Sequence, residues 1–491
     1  MITLPQELVQ CRNLVGGEWL SPSDGNSIAV ESPYSGEPIG YVGMSSADEV
    51  KAAVDIALRA FADWRAVPIK ERTGTLLKFR ELTLQRLDEL ANLAAAEAGK
   101  TVAEARAGVL KGVEVIEFAA SLQNMDQGGA LEVSRGVWCQ YKREPLGVVV
   151  GITPFNFPAM VPLWLIPIAT TVGNCFVHKP SEKVPLSSQV LGELMLEAGY
   201  PPGVYSIVNG AKETVDALVE HPDVAAIAFV GSTPVARLLY SRATQLGKRA
   251  LCLGGAKNHM ILTPDADPDL AVKGIVDSFT GCAGQRCMAG SVLLAVGDVD
   301  QLIDKIVAEA GSRVLGSSMG AIIDRAAVTR IRNAIARGCE QGASLRLDGR
   351  SAAAPTGFEK GFWLGPSILD CVLPDMECAC CEIFGPVLSI VRVPTLSAAM
   401  EIEALNSYGN ATSVFTSSGA VAQFVTSRAS SGMVGVNIGV PVPREPFSFG
   451  GTKESKFGHG EITGPGSLSL WSDLKKITTK WTEQIDRNWM S

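Results

Sequence analysis

From about Gly147 to Phe229 the chain alternates short apolar runs with amphipathic stretches, and this rhythm limits the fold more than any other feature. Strands are predicted at 147–152, 175–179, 204–208 and 225–229, with helices at 162–171, 187–198 and 214–220 between them. Near-continuous apolar strands are buried on both faces, and a helix between successive strands makes each crossover parallel. The prediction is an open, mostly parallel sheet with helices on both faces.

A second alternation starts near Met260, with strands predicted at 292–296, 388–393 and 434–436 and a helix at 299–309. With 491 residues the chain is too long for one ordinary core, so this reads as a second α/β domain. Residues 46–122 carry apolar positions mostly three to five apart (Val50, Ala53, Val54, Leu58) and are expected to form an N-terminal helical layer. Two further stretches, a hairpin around Val133–Tyr141 and a tail from 467 to 481, alternate like strands but have no evident sheet of their own. Orphan strands of this kind are expected to find partners in another subunit.

Charge excludes some partners. The net charge is -8 with no long Lys/Arg block, so nucleic acid is not expected. The most apolar run, 160–177, contains Pro162, Pro167 and Gly173 and reads as a buried helix, not a membrane span. Residues 1–20 have no signal-peptide pattern, and eleven scattered cysteines suit a reducing cytoplasm. Cys378 and Cys381 have metal-ligand spacing, but no second pair or nearby histidine completes four ligands, so no metal is expected.

The chemistry concentrates at a few positions. Cys287 lies among small residues, directly after Arg286; small neighbours allow a substrate carbon to approach, and a cation favours the thiolate. A cysteine in such a turn is also a common packed core thiol, the reading kept for Cys282. Asn156 follows the strand ending at Ile152, where its amide can donate to a developing oxyanion or simply form a turn between prolines. Lys179 and Glu182 end the next strand, and Gly231 and Ser232 end a later one at a helix start able to hold phosphate. Polar or glycine-bearing tips on three strands suit a dinucleotide, although GxGxxG is absent from this region. His259 reads as a structural histidine.

These segments in order (PFNFP at 154–158, KPSE at 179–182, FVGS at 229–232, GGAK at 254–257, GQRC at 284–287, EIFGPV at 382–387 and GVN at 435–437) resemble the aldehyde dehydrogenase superfamily over nearly the whole chain. GAKNH, GQRCMA and GVPVP make it most similar to the CoA-acylating methylmalonate-semialdehyde dehydrogenases. The resemblance implies a Rossmann-type NAD-binding domain (1–125 and 146–254), an α/β catalytic domain (255–447) and oligomerisation strands (126–145 and 466–491). It implies Cys287 as nucleophile, with Asn156 and the Cys287 backbone N–H as oxyanion hole. Thr153, Phe155, Lys179, Glu182, Lys183, Ser232, Gly254, Glu382 and Phe384 fall on cofactor positions. The cofactor is NAD rather than NADP, since Glu182 would meet a 2′-phosphate. A homodimer or homotetramer follows, with a small aldehyde, malonate or methylmalonate semialdehyde-like, as substrate.

Two departures from the family pattern matter. The glutamate that activates water in hydrolytic members falls at Leu253 here, and leucine cannot take a proton. Coenzyme A is therefore the expected acyl acceptor. The resemblance also places two cations at the substrate carboxylate, Arg286 and, in place of an arginine, Lys111, which keeps charge but loses the bidentate fork. Lys111 reads equally as a solvated helix lysine. The competing readings are a non-acylating dehydrogenase acting on another aldehyde or a C=N (imine or hydrazone-type) carbon, and a non-catalytic binding protein on the same fold.

Overall fold

A computed structural model of the chain describes residues 2–22, 25–125 and 128–481. The expected tail segment 466–491 therefore runs beyond the described residues after 481, and 126–127 also lie outside them.

The first alternation builds one parallel core. In spatial order it runs Arg249–Leu253, Val224–Val230, Val148–Ile152, Cys175–Lys179 and Tyr205–Ile207. The chain lays down Val148–Ile152 first, adds two strands on one side, then returns to add two on the other. Successive crossovers thus diverge between Val148–Ile152 and Val224–Val230, opening a crevice at the strands' carboxyl ends. Antiparallel edges complete eight strands: Asn13–Val15 with Glu18–Leu20 at one end and Lys456–Gly458 at the other. That last strand arrives from beyond the second sheet, a crossover with no signal in the local sequence.

The second sheet has seven strands, with Asn258–Leu262, Gly290–Val296, Ser367–Asp370, Val387–Val393, Ala411–Phe415 and Met433–Val436 parallel and only the edge strand Ser344–Leu347 antiparallel. Only four residues separate Arg249–Leu253 in the first sheet from Asn258–Leu262 in the second, which brings the two sheets' strand ends together. The apolar helix Met160–Val172 is buried along its length. Among the described residues no helix is long and apolar enough to cross a membrane.

The orphan strands are a correction. Val137–Pro145 pairs with Gly128–Ser134 and, antiparallel, with Ser472–Lys480 of the same chain. The hairpin and tail therefore supply each other's partner without a second subunit. Period-two alternation identifies a strand, not the strand it meets. The tail's first apolar residues, Leu468–Trp471, form a buried helical turn instead of strand.

One buried carboxylate ties the helical layer to this framework. The helix Leu186–Ala198 starts at Pro185, without a side-chain cap for its free amides. Glu97, on helix Leu87–Ala98, fills that place: its carboxylate accepts from Leu186 N at 2.7 Å and Ser187 N at 3.0 Å, and from the Ser187 hydroxyl. Burial pushes the carboxyl up to about 7. Glu97→Ala leaves these buried donors without a partner, so a loss of roughly 2–3 kcal/mol is expected, read as a lower urea midpoint.

Candidate active site

The crevice between the two sheets' strand ends is a cavity of about 750 Å³. Thr153, Phe155 and Asn156 enter it from the turn after Val148–Ile152. Lys179 and Glu182 follow Cys175–Lys179, Ser232 follows Val224–Val230, and Gly254 follows Arg249–Leu253. Cys287, Glu382 and Phe384 reach it from the second α/β unit. Ten residues far apart in sequence thus line one space.

Local structure explains how Cys287 is presented. Ahead of it, Cys282, Ala283 and Gly284 take φ values of 53°, 51° and 69°, a region that costs a residue with a Cβ and persists only when its surroundings hold it. The surroundings are visible. Cys282 N donates to Glu104 Oε1 at 2.6 Å, Gln285 N donates to the Cys282 carbonyl at 3.0 Å, and Lys100 Nζ lies 3.4 Å from Cys282 Sγ. That ammonium also stands 3.2 Å over the Phe157 ring. Beyond the turn, Asn258 Nδ2 and Asn410 Nδ2 donate to the Cys287 carbonyl at 2.7 and 2.8 Å. Asn156 Nδ2 donates to the Gln285 carbonyl at 2.9 Å, which fixes the amide beside the thiol loop. A carboxamide carries two N–H donors, so one remains for an oxyanion.

The electrostatics differ from those the sequence suggested. Burial, then the Glu382 carboxylate, push the Cys287 thiol up to about 12, and Arg286 and Lys100 offset this only in part. Arg286 turns away from the cavity: its Nη2 donates to the carbonyls of Ser278, at 2.9 Å, and Asp277. These belong to the last turn of helix Pro268–Thr280, where the Asp277 carbonyl also accepts from Gly281 N. The guanidinium therefore caps a helix and does not line the substrate space. Lys111 is also engaged, with Glu445 at 2.6 Å and Glu114 at 2.9 Å. Lys183 pairs with Asp324 at 2.5 Å and lies outside the cavity lining. Sequence spacing carries no information on where long cationic side chains end, and each found a nearer acceptor.

At the cofactor side, Glu382 Oε1 accepts from Ala256 N at 2.9 Å, and burial pushes its carboxyl up. Lys179 pairs with Glu182 at 3.3 Å. Thr153 Oγ1 contacts His178 Nε2 at 2.9 Å, and burial lowers that histidine to about 3, leaving it neutral. Ser232 stands at the N-cap position of helix Thr233–Gln245 but makes no side-chain capping bond. Phe384, at φ 53°, meets Phe155 edge-on at 5.8 Å. Leu253 lines the cavity, while its neighbour Cys252 is fully buried in the core. His259 is buried, 3.3 Å from Asn406 Nδ2. Cys380 and Cys381 place their sulfurs 3.9 Å apart. Among the described residues the one group of possible ligands close enough to hold an ion is Asp55, His221 and Asp223, outside the cavity lining.

Sequence reading missed Asn410, Arg330, Trp164 and Phe449, all of which line the cavity. Asn258 was within a quoted motif but had no assigned role. No spacing rule links any of them to Cys287, because each arrives on a separate element.

The Aldehyde dehydrogenase family pattern matches residues 19–477. The chain belongs to this family. It is 42% identical to malonate-semialdehyde dehydrogenase 2 of Geobacillus kaustophilus, over 96% of this chain and 98% of that one. It is 41% identical to malonate-semialdehyde dehydrogenase of Pseudomonas aeruginosa, over 96% of each. Among solved structures, methylmalonate-semialdehyde dehydrogenase from Oceanimonas doudoroffii superposes with a TM-score of 0.95 at 39% identity, over 97% of this chain and 99% of that one. A Sinorhizobium meliloti protein provisionally assigned the same activity, complexed with NAD, gives 0.96 at 40% identity, over 98% and 99%. The chain is thus an oxidoreductase of the aldehyde dehydrogenase kind.

The raised thiol of this dehydrogenase sets a pH dependence. Alkylation needs the thiolate, so iodoacetamide should modify Cys287 of the free enzyme about tenfold faster per pH unit between pH 7 and 9. A plateau near neutrality, followed by mass spectrometry of the Cys287 peptide, would show an already ionised thiol.

Proposed function

We propose NAD-dependent oxidation of an aldehyde through a thioester on Cys287, with coenzyme A taking the acyl group. The observation that carries this reading is the convergence of Cys287, Asn156 and Glu382 on one cavity whose nearest β-strand offers Leu253 where a water-activating carboxylate would stand.

The cavity suits a dinucleotide. It opens at the topological switch point, and the uncapped N-terminus of Thr233–Gln245 presents amides to a phosphate. Glu182 would face the adenosine ribose and Glu382 the nicotinamide ribose; Lys179, Gly254, Phe155 and Phe384 complete the walls. Carboxylates at Glu182 and Asp216 oppose a 2′-phosphate and favour NAD over NADP. Bound there, NAD supplies the oxidant that accepts the hydride.

The protein's own steps follow from its geometry. Asn258 and Asn410 fix the Cys287 backbone, so the sulfur meets the aldehyde carbon from a constrained position. The free N–H of Asn156 and the Cys287 amide stabilise the oxyanion of the thiohemiacetal. Collapse of that adduct leaves a thioester. Leu253 gives water no base, whereas the coenzyme A thiol ionises far more readily. If the acyl group carries a β-carboxylate, the thioester can stabilise the carbanion left by decarboxylation. Glu382, close enough to raise the thiol, is the carboxylate that favours the second reading, a non-acylating dehydrogenase in which it activates water.

A homodimer or homotetramer is part of the proposal. The three-stranded sheet keeps two free edges and exposes Leu131, Val133, Trp138, Leu474 and Trp481, apolar surface of the sort that marks an interface. The eleven cysteines are free thiols, which suits a reducing cytoplasm.

Three measurements test this function. Cys287→Ala should abolish NADH formation while NAD affinity stays within about threefold, because the thiol contributes to the covalent step and little to cofactor contact. In rapid mixing, an NADH burst equal to the active sites should precede a slow steady state; coenzyme A should raise only the steady rate, and Leu253→Glu should make that rate less dependent on it. Absence of both burst and coenzyme A response would favour the non-acylating reading. Sedimentation should give a species at least twice 51.8 kDa at micromolar concentration.

A further inference from the structure

We propose that Cys380 and Cys381 form a dithiol site that takes a small-molecule disulfide, closes to a disulfide between neighbours and thereby loosens the NAD site through Glu382. The inference rests on the function above only in taking Glu382 as a cofactor group.

The pair stands where the second α/β unit delivers that carboxylate to the cavity. Cys380 ends the short helix Glu377–Cys380, and Cys381 follows in extended backbone at φ -100° and ψ 144°. Glu382 comes next, its Oε1 accepting from Ala256 N at 2.9 Å. Both cysteines are exposed with their sulfurs 3.9 Å apart, whereas Cys378 on the same helix is buried. The two thiols thus reach solvent together, one peptide bond from a residue that lines the cavity. Behind them lies a cation without a hydrogen bond. Lys257, which follows Ala256, is 1% exposed, and its ammonium has no hydrogen-bond partner among the described residues. Burial pushes it down to about 8, and the negative groups that oppose this are Cys378, Glu382, Cys381 and Cys380, in that order. Reciprocally, the ammonium favours a thiolate on the pair, the form that attacks a disulfide. Burial, then the Cys380 thiol, push Cys381 up, so that with one sulfur ionised the other keeps its proton.

Exchange runs in two steps. One protein thiolate attacks a sulfur of the small disulfide, breaks its S–S bond and releases one small thiolate, leaving a mixed disulfide. The neighbouring thiol then gives its proton to solvent, attacks the first protein sulfur and releases the second small thiolate. The protein pair loses two electrons and two protons, and the small disulfide ends as two thiols. To close, the sulfurs must move from 3.9 Å to about 2 Å. Neighbouring Cα atoms stand about 3.8 Å apart, below the usual disulfide range of about 4.4–6.8 Å. The ring is therefore strained and reopens when small thiols prevail, as suits a transient bond in a reducing compartment. Glu382 feels the closure in two ways. The ring turns the backbone from which its side chain springs, and it removes two negative partners of Lys257, leaving Glu382 a larger share of that ammonium. Both draw the carboxylate from its place beside Ala256 N.

Hydroxyethyl disulfide is the probe, followed by an acid quench, a maleimide block of free thiols and mass spectrometry. The peptide carrying Cys380 and Cys381 should lose two hydrogens and take no maleimide at either residue. Calorimetry on the same treated enzyme should show the NAD Kd raised about fivefold, and dithiothreitol should restore it. The double variant Cys380→Ser, Cys381→Ser should hold its NAD Kd within about twofold of the untreated enzyme, before and after the disulfide. That variant also separates the pair from any reaction at Cys287, which both proteins share. Mixed disulfides that never close, a Kd unmoved by closure, or a Kd shift that persists in the double variant each overturn the inference. Failure of every aldehyde to yield NADH tells against the catalytic reading alone, since neither readout needs turnover.

Discussion

The grip of two asparagines on one carbonyl is the constraint on which the site depends. Asn258 opens a strand of the second sheet, Asn410 directly precedes the neighbouring strand, and both amides end on the Cys287 carbonyl. Asn258 Oδ1 also accepts from Ala411 N at 3.0 Å, so the two strand ends are locked together as they hold the loop. Rigid strands thereby transmit the position of one sheet to a sulfur that must act in a crevice belonging to the other. The left-handed turn at Cys282–Gly284 is the cost of that placement; Glu104 and Lys100 hold it from the helical layer, and Gln285 from within the loop.

Most long cationic side chains in and around this cavity have internal partners. Lys179, Lys111 and Lys183 have carboxylate partners, Arg286 and Arg330 have carbonyls, and the Cys287 thiol sits well above its ordinary range. A thiol of that kind resists adventitious alkylation and is activated only when its surroundings change. The reacting space is left largely apolar, and activation of the thiol waits on a change in its surroundings.

The free edges and apolar side chains of the small three-stranded sheet sit apart from this chemistry. Intrachain pairing of Val137–Pro145 with Ser472–Lys480 gives the sheet its shape, and its exposed Trp138 and Leu474 give it something to bury. Because the tail strand follows directly on the buried Leu468–Trp471 turn, the surface is anchored to the core of the first sheet's layer.

The strand and helix rhythm of 147–229 was legible because apolar periodicity is local, and Cys287, Asn156 and Glu382 were legible because short strings of unusual composition carry them. Their meeting in one cavity was implied only by resemblance. The hairpin and tail were recognisable as strands, yet their mutual pairing was not, since alternation specifies a face and no partner. Arg286, Lys111 and Lys183 show the same boundary most clearly. Sequence determined that a cation stands at each position. Only the tertiary structure decided where the charge goes, because a long flexible side chain ends on whichever acceptor the fold brings near, whether a helix's last carbonyls, or Glu445 and Asp324 from far along the chain.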